Sequence, residues 1–182
     1  MSKNLVSIEE LEQFDYLDNE YLERVIGAYS RLIGLFLIKF SYLEHEINLA
    51  IADIIQDRAH NSGYIVIERL TVANKIDLFY RLYLQLAAFA GKKDKERLLK
   101  IKKQLEDMNT FRNNVVHANW QSLTKKRFVR TKIMTDSDEG RIQFKNIKMD
   151  TALIRSKIYK IDPLINRVDT FKEKVYESLN KR

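Results

Sequence analysis

Apolar residues recur every three or four positions over most of the first 120 residues, which is the spacing of one face of an α-helix. Asp18 and Thr71 stand just before two of these stretches, where their side-chain oxygens can cap the free N–H groups of a first turn. The pattern predicts three long helices: from Asp18 to about Asp57, from Thr71 to about Ala90, and from Asp94 to about Ala118.

Three shorter stretches complete this part of the pattern. Residues 58–69 lose the helical spacing, and Asn61-Ser62-Gly63 within them is typical of a turn. Gly91 is expected to end the second long helix, because glycine accepts the left-handed backbone in which many helices stop. Near the N-terminus, Ser7 to Glu10 has the residue types of a capping box and predicts a short helix.

The periodicity changes after Trp120. Residues 127–134 have the composition of a strand, and apolar and polar residues alternate over 141–147 as in a returning, half-buried strand. A polar turn at Asp136–Gly140 separates the two stretches, so the sequence predicts a β-hairpin.

A last helical pattern begins at Asp150, as N-cap, and continues to about Leu179, with Asp162-Pro163 expected to break or kink it. The chain contains 5 Gly and 1 Pro, too few for the many turns of a β-sandwich or a propeller. We therefore predict an all-α fold in one domain over residues 1–182, with a helical core over about 18–121, a β-hairpin over about 127–147 and a C-terminal helix over about 150–180.

The composition excludes cysteine chemistry and argues against a membrane or secreted protein. The chain has no cysteine, which excludes disulfides, thiolate metal sites and a thiol nucleophile. Neither an apolar run of membrane-spanning length nor the apolar core of a signal peptide is evident, so a soluble cytoplasmic protein without membrane contact is expected.

The charge is unevenly distributed. The net charge is +7, although the first 24 residues carry −5. Lys92–Lys103 contains seven basic residues against two acidic ones, and Lys125–Lys132 contains five basic residues and no acidic one. Such clusters are typical either of solvated helix surface or of a surface that binds polyanions, nucleic acid first among them.

His117 has the neighbours best suited to chemistry. Asn113 and His117 are four residues apart and share one polar stripe of the predicted helix, and Arg112 borders that stripe. Arginine offers a planar fork of donors to phosphate oxygens, and histidine exchanges a proton near neutral pH. The stripe indicates phosphate binding or RNA cleavage, although Asn and His are also ordinary near the end of a helix.

RNA cleavage by the adjacent 2′-hydroxyl needs a base, an acid and a cation beside the phosphoryl group. One imidazole cannot be base and acid in the same step. Two copies of the stripe across a two-fold axis would supply two histidines and two arginines, so the chemistry predicts a homodimer with a composite site. The other histidines lack ligand spacing, since Leu49 stands where a zinc motif begun at His45 needs its second histidine and His60 has no partner. Neither a metal nor another cofactor is expected.

The stretch Arg112-Asn113-Asn114-Val115-Val116-His117 resembles the Arg-x4–6-His signature of the HEPN superfamily, including the polar residue after the arginine. The wider resemblance runs from about Leu32 to Gln121 and includes Phe40–Glu44 and Leu70–Ile76. It implies a dimeric helical bundle and a metal-independent endoribonuclease, of the kind found as toxins of toxin–antitoxin modules and as phage-defence effectors. It also implies that Arg112 binds the scissile phosphate, that His117 handles the proton or orients the 2′-hydroxyl, and that Asn113 positions both.

The resemblance does not determine how the protein is regulated or what the hairpin does. Some toxin members carry a tyrosine two residues after the histidine, which the antitoxin modifies; Asn119 stands there in this chain, so a cognate antitoxin could be a nucleotidyltransferase or another protein. The hairpin lies outside the shared region and either guides RNA, completes the fold or binds a partner. The alternative function is a catalytically inactive helical module that binds RNA, a nucleotide or a protein partner. The candidate RNA contacts of the hairpin region are Lys125, Lys126, Arg127, Arg130 and Lys132.

Overall fold

The structure is a computed structural model that describes residues 5–7, 17–55, 61–87, 91–135 and 142–180. These residues form α-helices and one small antiparallel sheet, which confirms the prediction of an all-α fold with a β-hairpin before the last helix. The elements are β1 (Leu5–Ser7), α1 (Asn19–Ile55), α2 (Asn61–Glu68), α3 (Val72–Ala87), α4 (Lys92–Val116), β2 (Phe128–Thr135), β3 (Ile142–Lys148) and α5 (Thr151–Asn180).

The chain divides into two compact units, and the first contains the sheet. Residues 1–36 and 112–157 form this first unit. Its sheet has the order β1-β3-β2, and β3 is antiparallel to both neighbours. The pairing of β2 with β3 shifts between Arg130 and Lys132, where β2 contains a bulge. The core of the first unit includes the buried side chains of Leu17, Tyr29, Phe36, Val115, Leu123, Val129, Phe144, Met149 and Ile154.

Strand β1 was not predicted. Leu5–Ser7 pairs with residues 143–145 of β3, so the backbone of Ser7 is part of a ladder. Three residues are too few to show an alternating pattern, and the pairing partner lies far along the chain. The short helix predicted after Ser7 lies outside the described residues.

The second unit contains residues 37–111 and 158–182. Aromatic rings lie at its centre: the ring centroids of Phe79 and Tyr83 are 4.8 Å apart, and those of Tyr83 and Phe171 are 6.0 Å apart. Burial of each such ring stabilises the fold by about 1.5–3 kcal/mol. Other fully buried side chains of this unit include Ile47, Ile51, Ile76, Leu98 and Leu105.

The prediction of a turn at Asn61-Ser62-Gly63 is wrong, because these residues begin helix α2. Gly63 is buried, and a Cβ atom on it would lie 2.6 Å from the Cα atom of Ala52 in α1. Glycine is therefore needed here for the close approach of two helices rather than for a turn.

Local hydrogen bonds confirm three predicted helix starts. The N–H of Tyr21 donates to Asp18 Oδ1 at 2.7 Å, and the N–H of Leu153 donates to Asp150 Oδ1 at 2.7 Å. The N–H of Asn74 donates to Thr71 Oγ1 at 3.3 Å. Each side-chain oxygen satisfies an N–H group that the helix itself leaves free.

The sequence predicted a helix end at Gly91 and a break or kink at Pro163, and these two predictions differ in outcome. Gly91 has a φ of +114° and follows α3, as expected of a residue that ends a helix. Pro163 lies inside α5, which continues from Thr151 to Asn180 close to the predicted end, so of the two expected effects, a break or a kink, the break does not occur. Buried Ile161 and Leu164 flank the proline on both sides and hold this part of the helix in place.

Helix α1 contains an 18-residue stretch with a mean hydropathy of 1.3, only 17% of it buried. By length and composition this stretch could cross a membrane, contrary to the expectation that no apolar run reaches that length. The core helix of a soluble protein can have the same length and the same apolar composition.

Candidate functional site at the end of helix α4

Arg112, Asn113 and His117 lie at the C-terminal end of α4. The helix ends at Val116, within two residues of the predicted end, and the N–H of His117 still donates to the carbonyl oxygen of Asn113 at 2.9 Å. The side chains of Asn113 and His117 are exposed, and that of Arg112 is half-buried. All three belong to the first unit and can be reached from solvent.

The guanidinium of Arg112 is oriented by its neighbour. Arg112 Nη1 donates to Asn113 Oδ1 at 3.1 Å. This contact occupies one of five guanidinium N–H groups and leaves the others for an anion. It also directs the amide NH2 of Asn113 away from the guanidinium. The resemblance implies that Asn113 positions Arg112, and the direct hydrogen bond between their side chains is compatible with that role.

Trp120 and Tyr29 hold the end of α4. The indole Nε1–H of Trp120 donates to the carbonyl oxygen of Val115 at 3.2 Å and so satisfies one of the free carbonyls of the last turn. The Trp120 ring lies 5.3 Å from the Tyr29 ring, and the Tyr29 hydroxyl donates to the carbonyl oxygen of Met149 at 2.9 Å. Trp120 lies within the stretch from about Leu32 to Gln121 that carries the resemblance, whereas Tyr29 lies outside it and gives no local signal of this contact.

The segment after His117 is joined to strand β2. The N–H of Asn119 donates to the carbonyl oxygen of Arg130 at 2.8 Å, and the N–H of Arg130 donates to Ser122 Oγ at 2.8 Å. Trp120–Ser122 forms a short 3-10 helix, and the Asn119 side chain caps it by accepting from the N–H of Gln121. The hairpin therefore completes the fold around the end of α4.

The five candidate RNA contacts of the hairpin region differ in exposure and in the contacts they make. Lys126 and Lys132 are exposed, as is Lys125. The guanidinium of Arg130 lies 5.0 Å from the centre of the Phe144 ring, in a cation–π contact. Arg127 is half-buried and lines a cavity.

The Arg127 cavity has a volume of about 300 Å³ and is also lined by Arg24, Tyr29, Asp150 and Thr151. Arg127 has a φ of +65°, a rare conformation for a residue other than glycine. Its Nη1 is buried and has no hydrogen-bond partner in the described part of the chain. Burial raises the pKa of the Tyr29 hydroxyl, while the charge of Arg127 opposes this increase and that of Asp150 adds to it.

Of the other two histidines, the structure describes only His45. His45 is exposed on α1, and His60 lies outside the described residues. Among the residues that the structure describes, no group of three or more His, Asp or Glu side chains is arranged to hold a metal ion.

Comparison with known proteins finds no match for this chain among family models, curated proteins or solved structures.

Proposed function

We propose that the protein is a metal-independent endoribonuclease that acts as a homodimer, with Arg112 and His117 of two copies around one scissile phosphate. The observation that carries the proposal is the accessible group at the end of α4, where the Arg112 guanidinium is hydrogen-bonded to Asn113. The resemblance of these residues to the HEPN motif adds the expectation of a toxin of a prokaryotic toxin–antitoxin module or a phage-defence effector, with RNA as substrate and an antitoxin as a possible partner.

The proposed reaction needs no external reactant. The 2′-hydroxyl oxygen attacks the adjacent phosphorus, the bond from phosphorus to the 5′-oxygen breaks, and a 2′,3′-cyclic phosphate forms. One His117 imidazole accepts the 2′-hydroxyl proton, and the His117 imidazolium of the second copy donates a proton to the leaving 5′-oxygen. Arg112 compensates the negative charge that accumulates on the phosphoryl oxygens.

Helix geometry favours a site made from two copies. Residues five apart on an α-helix are turned by about 140° around its axis and separated by roughly 7.5 Å along it. Arg112 and His117 have this separation, so one helix directs them to different sides. In a two-fold dimer, the Arg112 guanidinium of one copy would then face the His117 imidazole of the other.

Helix α1 offers a surface that a second copy could cover. Leu35, Ile38 and Tyr42 follow one another at intervals of three and four residues, which places them along one side of the helix. Their exposed fractions are 44%, 54% and 60%. Exposed apolar side chains in such a row are typical of a contact between protein chains.

The first test compares RNA cleavage by wild type, Arg112→Ala and His117→Ala. Each substitution is expected to reduce the cleavage rate at least ~100-fold, because loss of a positioned proton donor or charge stabiliser has effects of this order. Matched controls are Arg155→Ala and Lys160→Ala, which remove exposed side chains from α5 and should leave the rate unchanged. Circular dichroism should show the same fold for all five proteins.

The products and the effect of a chelator complete this test. Cleavage should continue in EDTA and leave 2′,3′-cyclic phosphate ends, which mass spectrometry identifies. Cleavage by His117→Ala at the wild-type rate would refute the assignment of the site. Binding without cleavage by wild type would instead favour the alternative, an inactive helical module.

A further inference from the structure

A second basic site lies in the second unit, in a cleft between α4 and α5. The cleft has a volume of about 600 Å³. Four cationic side chains line it, and the floor contains Ile101 and Phe171, which are 5% and 4% exposed. The four cations are Arg97, Lys100, Lys103 and Arg167.

The cleft gathers positive charge that the described part of the chain pairs with an acid only at Arg97. Of the described residues that line it, none is acidic. Within the described part of the chain, Lys100 and Lys103 form no ion pair, whereas Arg97 Nη1 lies 3.7 Å from Asp94 Oδ1. Asp94 is shared with Lys174, which also forms an ion pair with it.

The basic run of α4 is thus divided by the fold. Lys102 belongs to the same run, but it forms ion pairs with Asp77 at 3.3 Å and Glu106 at 3.7 Å and lies 4.5 Å from the Tyr80 ring. Its charge has structural partners, whereas Lys100 and Lys103 direct theirs to the cleft. Like charges that face one another without an acid repel, so an anionic ligand would stabilise the arrangement.

The shape and chemistry of the cleft fit a nucleotide. Its volume is within the range of about 300–1,000 Å³ that small-molecule sites occupy. Phosphate groups suit the cations, and Arg167 is already oriented by a hydrogen bond from its Nη1 to Gln104 Oε1 at 3.0 Å. A bare phosphate would fill only a small part of a cleft of about 600 Å³, whereas the base and sugar of a nucleotide would occupy much of the rest.

We propose that the cleft binds a nucleotide unit, with its phosphates on the four cations and its base against Ile101 and Phe171. This unit comes either from an RNA strand or from a free nucleotide. The RNA source rests on the proposed function and would make the cleft part of the substrate path.

The test measures binding of a fluorescein-labelled oligouridylate by anisotropy, with His117→Ala as the parent protein so that the probe is not cleaved. Lys100→Ala/Lys103→Ala removes two cations from the cleft. Lys93→Ala/Lys95→Ala is the matched control, because it removes two exposed cations from the same helix that do not line the cleft. A parallel titration with ATP by calorimetry tests the free nucleotide.

The cleft variant should bind at least one probe ~10-fold more weakly than its parent, and the control variant less than twofold more weakly. For the oligouridylate, the slope of log Kd against log salt should fall by about 1.4, since each lost phosphate contact on single strands contributes about 0.7. A selective loss for either probe supports the cleft and identifies the source of the nucleotide. Equal effects of the two double substitutions on both probes, or no effect of either, would overturn the proposal.

These outcomes are distinct from those of the cleavage test. A selective loss of binding together with no cleavage by wild type would retain the cleft and reject the endoribonuclease. Cleavage that depends on His117, together with equal binding by both double variants, would retain the endoribonuclease and reject the cleft.

Discussion

Buried tyrosines couple the stability of this protein to pH. Tyr29 and Tyr83 are 1% and 0% exposed, and burial raises the pKa of both hydroxyls. Each hydroxyl donates to a carbonyl oxygen, Tyr29 to Met149 at 2.9 Å and Tyr83 to Ala50 at 3.4 Å. A phenolate cannot donate these bonds and would be removed from water, so the folded chain keeps both groups protonated.

We expect the free energy of unfolding to fall as the pH rises above about 10, where tyrosines of the unfolded chain ionise. A raised pKa in the folded state stabilises the fold below that pH, and the loss is about 1.4 kcal/mol per pH unit for each tyrosine that stays protonated. Tyr83→Phe should lose about 1 kcal/mol at pH 7 and have a smaller alkaline slope. Urea unfolding at pH 7 and pH 11 measures both.

The control for this prediction is Tyr159→Phe, which changes a tyrosine that is 75% exposed. Its alkaline slope should equal that of wild type. A Tyr83→Phe slope equal to that of wild type would show that this phenol does not contribute.

Helix α5 tolerates a proline because its neighbours pack. Pro163 cannot donate the hydrogen bond that an interior residue gives to the carbonyl four positions earlier, and proline costs about 3 kcal/mol in a helix interior. Ile161 and Leu164 are 0% and 2% exposed, and Lys39 forms an ion pair with Asp162. The helix therefore continues where its local sequence favours an end.

Pro163→Ala is expected to stabilise the protein by about 2–2.5 kcal/mol. The substitution restores a donor, and the exposed ring of Pro163 gives up little packing. The greater freedom of alanine in the unfolded chain offsets about 0.4–1 kcal/mol of the gain. Thermal and urea unfolding would measure the change against Glu173→Ala, an exposed position of the same helix. A variant no more stable than wild type would indicate that α5 needs a bend at this residue.

At the scale of the whole molecule, the proposed activity requires two chains. Arg112→Ala homodimers would have two imidazoles and no Arg112 guanidinium, and His117→Ala homodimers would have the reverse. A dimer of wild type with His117→Ala would have two guanidinium groups but one imidazole, so it would lack either the base or the acid of the proposed reaction.

The mixed dimer of wild type with His117→Ala is therefore expected to cleave RNA at least ~100-fold more slowly than the wild-type dimer, whereas a complete site in each protomer would leave about half the rate. Co-expression with two different tags isolates this species, and light scattering measures its mass. As a control, wild type carrying both tags should keep its full rate. Activity of wild type only as a monomer, or about half the wild-type rate in the isolated mixed dimer, would argue against a composite site.

The candidate site and most helices could be predicted because they depend on residues close together in the chain. The caps at Asp18, Thr71 and Asp150 each involve an N–H three residues away, and the Arg112–Asn113 contact joins adjacent residues. Apolar spacing likewise determined where the long helices and the two hairpin strands would form.

Tertiary contacts decided the rest. Helix α2 depends on the approach of Gly63 to Ala52, and strand β1 exists through its pairing with β3. The same holds for the basic residues: packing buries part of Arg127 beside Tyr29 and leaves Lys100 facing a cleft. Local hydrogen bonds and periodicity depend on residues that are neighbours in the sequence, whereas the surroundings of a side chain depend on which distant segments pack against it.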